Sequence, residues 1–200
     1  VPDSVYTYSY DRVNSTYVLK SITYNYYSDA RPDSTITISA DRRPVSKTVN
    51  NYDGTRLSVI MTYNADGVNW LPAQRQDLFY DGYERLTSRV VYVWRTDRWD
   101  NLNTFTYFYD DKDNLSVYHR DYWYTGMWTD FSTDSLFYDQ RGFLTERTAW
   151  LTSTGQYYTR MLYQNTQTGI KLSQTRQDYL NSNWVNKART NYVYNGCGTL

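Results

Sequence analysis

Histidine, cysteine and paired carboxylates carry most protein-side-chain chemistry, and this sequence holds one histidine and one cysteine. His119 lies in Val117-Tyr118-His119-Arg120-Asp121, so a Ser-His-Asp or Cys-His site would have to be built on it. That stretch reads as the middle of a strand, and the other copies of the repeat described below place no histidine there, which gives His119 a structural or surface role. Cys197 stands alone near the end of the sequence, so it has no disulfide partner in the chain and belongs to no cysteine metal cluster. It reads as an incidental thiol. Two carboxylates flanking a bond could hydrolyse a glycoside, but Asp81, Asp110 and Asp139 recur in turn contexts, where aspartate caps local backbone N–H groups. The run Asp110-Asp111-Lys112-Asp113-Asn114 lacks the glycine and distal glutamate of a calcium loop and carries Lys112 inside it. It reads as a solvated turn. With no glycine-rich phosphate loop either, the sequence points to no catalytic residues, no cofactor and no metal. The expectation is a protein that is not an enzyme.

One set of residues remains as a candidate for function. Trp70, Trp99, Trp128, Tyr157 and Trp184 fall at equivalent places in successive copies of a repeat. If two strands separate neighbours, these rings recur every ~9–10 Å along a sheet, roughly the length of a disaccharide. Exposed, they would form a platform on which sugar rings stack. Packed against one another, they would form a structural ladder. The ladder is the favoured reading, and Tyr122-Trp123-Tyr124 adds aromatic surface in one copy only.

The elements that must position this row follow from the repeat. Leu57, Leu86, Leu115, Leu144 and Leu172 are spaced 29, 29, 29 and 28 residues apart, and the aromatic row follows them 13, 13, 13, 13 and 12 residues later. The pair Tyr-Asp marks the same phase at Tyr52-Asp53, Tyr80-Asp81, Tyr109-Asp110 and Tyr138-Asp139. A fixed period of this length is one supersecondary unit copied and stacked. Leu86 to Arg95 is β-branched and aromatic, Thr96 to Arg98 is a polar turn, Trp99 to Tyr109 is strand-like again, and Asp110 to Asn114 turns back. Turn residues recur at Asp53-Gly54, Asp66-Gly67, Asp81-Gly82, Thr125-Gly126, Gly142, Gly155, Gly169 and Asn195-Gly196. Short loops force antiparallel neighbours, and two strands per unit predict about fourteen strands. The unit after Tyr157 is irregular, which predicts a bulge or longer turn near Gln164 to Gly169.

Composition supports strands. The chain has 24 Tyr and 7 Trp among its 200 residues, and strand formers dominate it. Strand ends are apolar on both faces, as in Leu78-Phe79-Tyr80 and Leu136-Phe137-Tyr138, whereas strand middles are polar on both, as in Gln74-Arg75-Gln76. A sandwich would alternate more cleanly. The predicted fold is therefore all-β: an antiparallel up-and-down meander of tandem β-hairpin repeats, in an open single-layer or curled sheet. A closed β-barrel is the alternative, since closure removes free edges. Residues 1–200 form a single repeat array, with 1–51 a degenerate start and 52–200 regular. Arg43-Pro44-Val45 to Tyr52-Asp53 matches Leu71-Pro72-Ala73 to Tyr80-Asp81.

The formal net charge is zero, with no basic stripe, so no nucleic-acid partner is expected. No apolar run is long enough to span a membrane as a helix. Arg, Gln and Asp interrupt both faces where lipid would need an apolar band, which argues against a membrane barrel.

The pattern of Tyr-Asp, a glycine or polar turn, then Leu resembles one known group, and the stretches Trp184 to Gly196 (WVNKARTNYVYNG) and Tyr138 to Glu146 (YDQRGFLTE) best carry a resemblance to a second. One is the YD repeats of bacterial surface and toxin-shell proteins. The other, closer, is the repeat regions of proteins secreted by the bacterial type IX pathway. The resemblance covers about Tyr52 to Leu200. It implies an all-β array, an extracellular or cell-surface location, and no catalytic residues. The expected function is a non-catalytic scaffold, spacer or adhesin-like surface with a protein or surface-glycan partner, and carbohydrate binding by the aromatic row is the alternative. The free edges of a meander invite association with another chain.

Overall fold

The computed structural model describes residues 3–11 and 13–194. Cys197 and the Asn195-Gly196 turn lie outside the described residues. The chain forms strands β1 (Asp3–Asp11), β2 (Thr16–Ser28), β3 (Arg31–Ser39), β4 (Pro44–Asp53), β5 (Arg56–Ala65), β6 (Trp70–Tyr80) and β7 (Leu86–Arg95). It continues with β8 (Arg98–Tyr109), β9 (Leu115–Tyr124), β10 (Met127–Tyr138), β11 (Leu144–Leu151), β12 (Gln156–Asn165), β13 (Lys171–Leu180) and β14 (Asn183–Asn191). The fourteen strands stand in chain order in one sheet. Among the described residues β1 is bonded to β2 alone and β14 to β13 alone, so the sheet is open and the barrel alternative is set aside. Contacts divide the chain into two compact units, one ending at Leu102 and one beginning at Asn103. Among the described residues no helix is long and apolar enough to cross a membrane.

Neither unit has a conventional core. Among the described residues Val91, at 6% exposure, is the only buried hydrophobic side chain, while Ser132, Asp134 and Ser173 are buried and polar. Contacts between elements run between sequence neighbours, as expected of a single layer. Both faces are instead covered by long side chains lying along the sheet. Arg75 binds Asp77 at 2.7 Å and lies over the Tyr92 ring. Arg147 binds Asp134 at 2.7 Å and lies over Tyr118. This explains why strand middles are polar on both faces.

The Tyr-Asp marker has a mechanical meaning. Asp110 Oδ1 accepts from the N–H groups of Lys112 and Asn114, and Asp139 Oδ1 from those of Arg141 and Phe143. These bonds favour the ionised form. The Asn114 side-chain amide is the largest contribution in holding Asp110 below the ordinary carboxylate range, and the Phe143 N–H is the largest for Asp139. The fourth residue of each five-residue loop is left-handed: Glu84 at φ 65°, Asp113 at 63°, Gly142 at 84° and Gly169 at 84°. In the Asp81-Gly82 turn the strain therefore falls on Glu84 rather than on the glycine, contrary to the dipeptide reading.

Just before each such loop the strand bulges. The register shifts between Phe79 and Tyr80, Phe108 and Tyr109, and Phe137 and Tyr138, and it shifts likewise between Asn51 and Tyr52 ahead of the two-residue Gly54-Thr55 turn. A bulge leaves backbone groups unpaired, and the repeat supplies partners. Thr87, Ser116 and Thr145, each following the leucine, donate their hydroxyls to the carbonyls of Phe79, Phe108 and Phe137. The tyrosine then reaches back a whole hairpin. Tyr80 donates to the Leu57 carbonyl at 2.8 Å, Tyr138 to that of Leu115 at 2.9 Å, and Tyr194 to that of Lys171 at 2.7 Å.

The irregular unit keeps this plan with other residues. The bulge expected near Gln164 to Gly169 is present, between Gln164 and Asn165, but it belongs to the rule rather than to an irregularity. Asn165 takes the tyrosine place and donates Nδ2 to the Leu144 carbonyl at 2.9 Å, and Thr166 takes the aspartate place. Lys171, paired with Asn165, takes the leucine place. Leu172 is therefore one residue out of phase with the other four leucines and is 44% exposed.

Tyr138→Phe leaves the Leu115 carbonyl without its partner and should cost about 1 kcal/mol by urea denaturation, with the sheet retained by circular dichroism. At the left-handed loop position the sign depends on the residue. Gly142→Ala should destabilise and Glu84→Gly should stabilise, each by about 1 kcal/mol, read from the same denaturation midpoints.

Candidate functional site: the aromatic row

Each member of the row opens an even-numbered strand, and its environment is set by the residue across the hairpin. Where two residues form the turn, positions five apart face each other. Trp99 thus meets Trp94 with ring centroids 5.0 Å apart, Trp128 meets Trp123 at 4.9 Å, and Trp184 meets Tyr179 at 5.0 Å, all edge to face. The Leu151 to Gln156 turn is longer, so Tyr157 meets Trp150 seven residues earlier, at 5.1 Å. Trp70 lies opposite Ala65 and has no ring facing it. Of these partners Trp123 alone stood out in the sequence, as added surface rather than as a partner, and Trp94, Trp150 and Tyr179 did not. Their signal was an aromatic five or seven residues before Trp99, Trp128, Tyr157 and Trp184.

In the second unit the pairs also join. Tyr157 contacts Tyr179 at 5.9 Å and Trp184 at 5.7 Å, and the Arg160 guanidinium sits 4.6 Å from the Trp184 ring. Edge-to-face pairs match the positive ring edge to the negative face. These contacts use part of each ring only. Trp128 is 38% exposed and Tyr157 45%, and Trp150 keeps similar access to solvent.

On the other face of β9 and β10 lies a groove bordered by Phe105, Tyr118, Arg120, Phe131 and Arg147. Arg120 lies over Phe131 and Phe105 and donates to Asn103 Oδ1, while Arg147 donates to the Tyr118 hydroxyl. These polar groups are spent on one another. Burial, aided by the Asp134 charge, pushes the Tyr118 hydroxyl up to about 12. The Asp110 turn likewise uses its carboxylate oxygens on Lys112 and Asn114, which fits the solvated-turn reading of that acidic run.

No protein-family model matches the chain, and no curated protein matches it. Among solved structures it is similar to a porin-like protein from Bacteroides uniformis, at 13% identity and a TM-score of 0.49, over 94% of this chain and 88% of that one. It is also similar to a Bacteroides fragilis protein of unknown function, at 12% identity and a TM-score of 0.35, over 74% of this chain and 91% of that one. A third likeness is to a chain in the TcdB2-TccC3-Cdc42 structure, at 15% identity and a TM-score of 0.46, over 94% of this chain. There the match spans 12% of that chain's length.

The raised Tyr118 hydroxyl sets an alkaline limit. An unfolded tyrosine titrates near 10, so the folded state holds this proton more tightly. The stability this contributes is fully present below about 10 and is lost as pH rises through about 12. Unfolding monitored across this window should show stability falling with pH. Tyr118→Phe should flatten that fall, and the parent's last tyrosinate absorbance should appear near the upper end.

Proposed function

We propose that this chain is a non-catalytic repeat module of a secreted or cell-surface bacterial protein, serving as scaffold, spacer or adhesin-like interaction surface. One observation carries the reading: recurrence. The same capped turn, bulge and hydroxyl link return in successive hairpins, and the arginines and acids of the strand middles are largely spent on each other. Chemistry needs a differentiated site, whereas repetition builds a surface. The YD-repeat and type IX resemblance of the sequence supports the same location. A protein or surface glycan is the partner class, and the single-neighbour strands β1 and β14 offer backbone edges to which a partner strand could add.

A second reading has its own observation. Trp128, Trp150 and Tyr157 keep more than a third of their surface open while held rigid by ring pairing. Rigid, half-open aromatics suit stacking on sugar rings, which would make the row a carbohydrate platform on a secreted protein.

Fluorescence quenching separates the two. With acrylamide and iodide as quenchers, the scaffold reading expects partial quenching that soluble polysaccharides leave unchanged. Relief of quenching by a polysaccharide, abolished in Trp128→Ala, would put the platform first.

A further inference from the structure

Repetition makes departures visible, and the sharpest one is at β9 and β10. Four residues after the leucine position the other regular units carry Met61, Val90, Thr148 and Thr175, and here stands His119. Asp121, two residues on, lies on the same face. Asp130 pairs directly opposite Asp121, and Thr133 directly opposite His119. Asp130 occupies the position held elsewhere by Pro72, Asn101, Thr159 and Asn186.

Two carboxylates facing each other across a strand pair repel. The acids Asp77, Asp134 and Asp178 each have an arginine within ion-pair distance. Asp121 and Asp130 have none among the described residues. What they share is His119: its Nε2 lies 3.0 Å from Asp121 Oδ1 and 3.4 Å from Asp130 Oδ1. The other ring nitrogen, Nδ1, is 2.9 Å from the Thr133 hydroxyl. With Nδ1–H donated to Thr133, the Nε2 lone pair would point at two anionic oxygens. That arrangement calls for a cation between them. The Thr152 hydroxyl donates to Asp130 Oδ1 at 2.7 Å and holds this carboxylate in place.

The spacing fits an ion. The three ligand atoms lie within 4.8 Å of one another. A tetrahedral ion about 2.0–2.1 Å from each ligand sets neighbouring ligands about 3.3–3.4 Å apart, close to the observed 3.0 and 3.4 Å. One imidazole and two carboxylates match zinc and related divalent transition metals better than calcium, which favours oxygen alone. Asp130 is nearly half exposed, so the ion has a path in and a fourth position open to solvent.

We propose that His119, Asp121 and Asp130 bind one divalent transition-metal ion of the zinc class, with Thr133 and Thr152 orienting the ligands. This reverses the sequence expectation of no metal, and it is independent of whether the aromatic row is scaffold or platform. The test is calorimetric titration of zinc chloride into the full chain carrying Cys197→Ser, which removes the thiol as a rival ligand. One saturable site per chain is expected. His119→Gln and Asp130→Asn should each weaken it by more than about tenfold, with the sheet retained by circular dichroism in chelator. Because Trp123 and Trp128 lie on the same face as the ligands, copper(II) should quench part of the tryptophan emission, and Asp130→Asn should remove that part. The absence of saturable binding would overturn the proposal. So would zinc binding undiminished in both variants, or a preference for calcium.

Discussion

A single-layer sheet has no interior, and the rest of this structure follows from that constraint. Burial cannot be shared with a second layer, so each face must be dried by side chains rooted in the sheet itself. Tyrosine, tryptophan and arginine suit this task because each has a long or flat apolar body and a polar end. The arginines lie over rings and reach acids or amides at their tips, as Arg75, Arg120, Arg147 and Arg160 do. The result inverts the usual arrangement, for Asp134 is more buried than Val91.

The same constraint shapes the turn edge. A bulge beside each five-residue loop strands backbone carbonyls, and an orphaned carbonyl is costly wherever water is excluded. The serine or threonine after the leucine position takes one of them, and the tyrosine hydroxyl takes another one hairpin back. That second bond links consecutive hairpins by something other than the strand ladder. It also explains why Asn165 can replace tyrosine, since its amide delivers an N–H to the equivalent carbonyl. Close packing joins the loops as well, because a Cβ on Gly169 would overlap the Phe143 ring.

Recurrence and departure then sort structure from candidate function. The capped turns, hydroxyl links and ring pairs recur, so each copy is accounted for by the architecture. The group of His119, Asp121 and Asp130 occurs once and sets two acids against each other without an arginine. A structural reading of His119 from sequence was reasonable because one histidine in a strand has no visible partners. Asp130 is eleven residues away and reaches His119 only when the hairpin closes.

The sequence by itself determined the strand count, the phase of the repeat and the antiparallel order. These depend on local properties: alternation, β-branched and aromatic residues, and turn chemistry at a fixed period. Leu86 to Arg95 was readable as a strand to the residue, and Trp99 to Tyr109 to within one. Only the tertiary structure decided that the sheet stays open, that Lys171 rather than Leu172 keeps phase, and that Trp94, Trp123, Trp150 and Tyr179 meet the aromatic row. The physical reason is register. A one-residue bulge moves side chains to the other face, and strand pairing, not the residue types alone, sets where the bulges fall and which side chains meet.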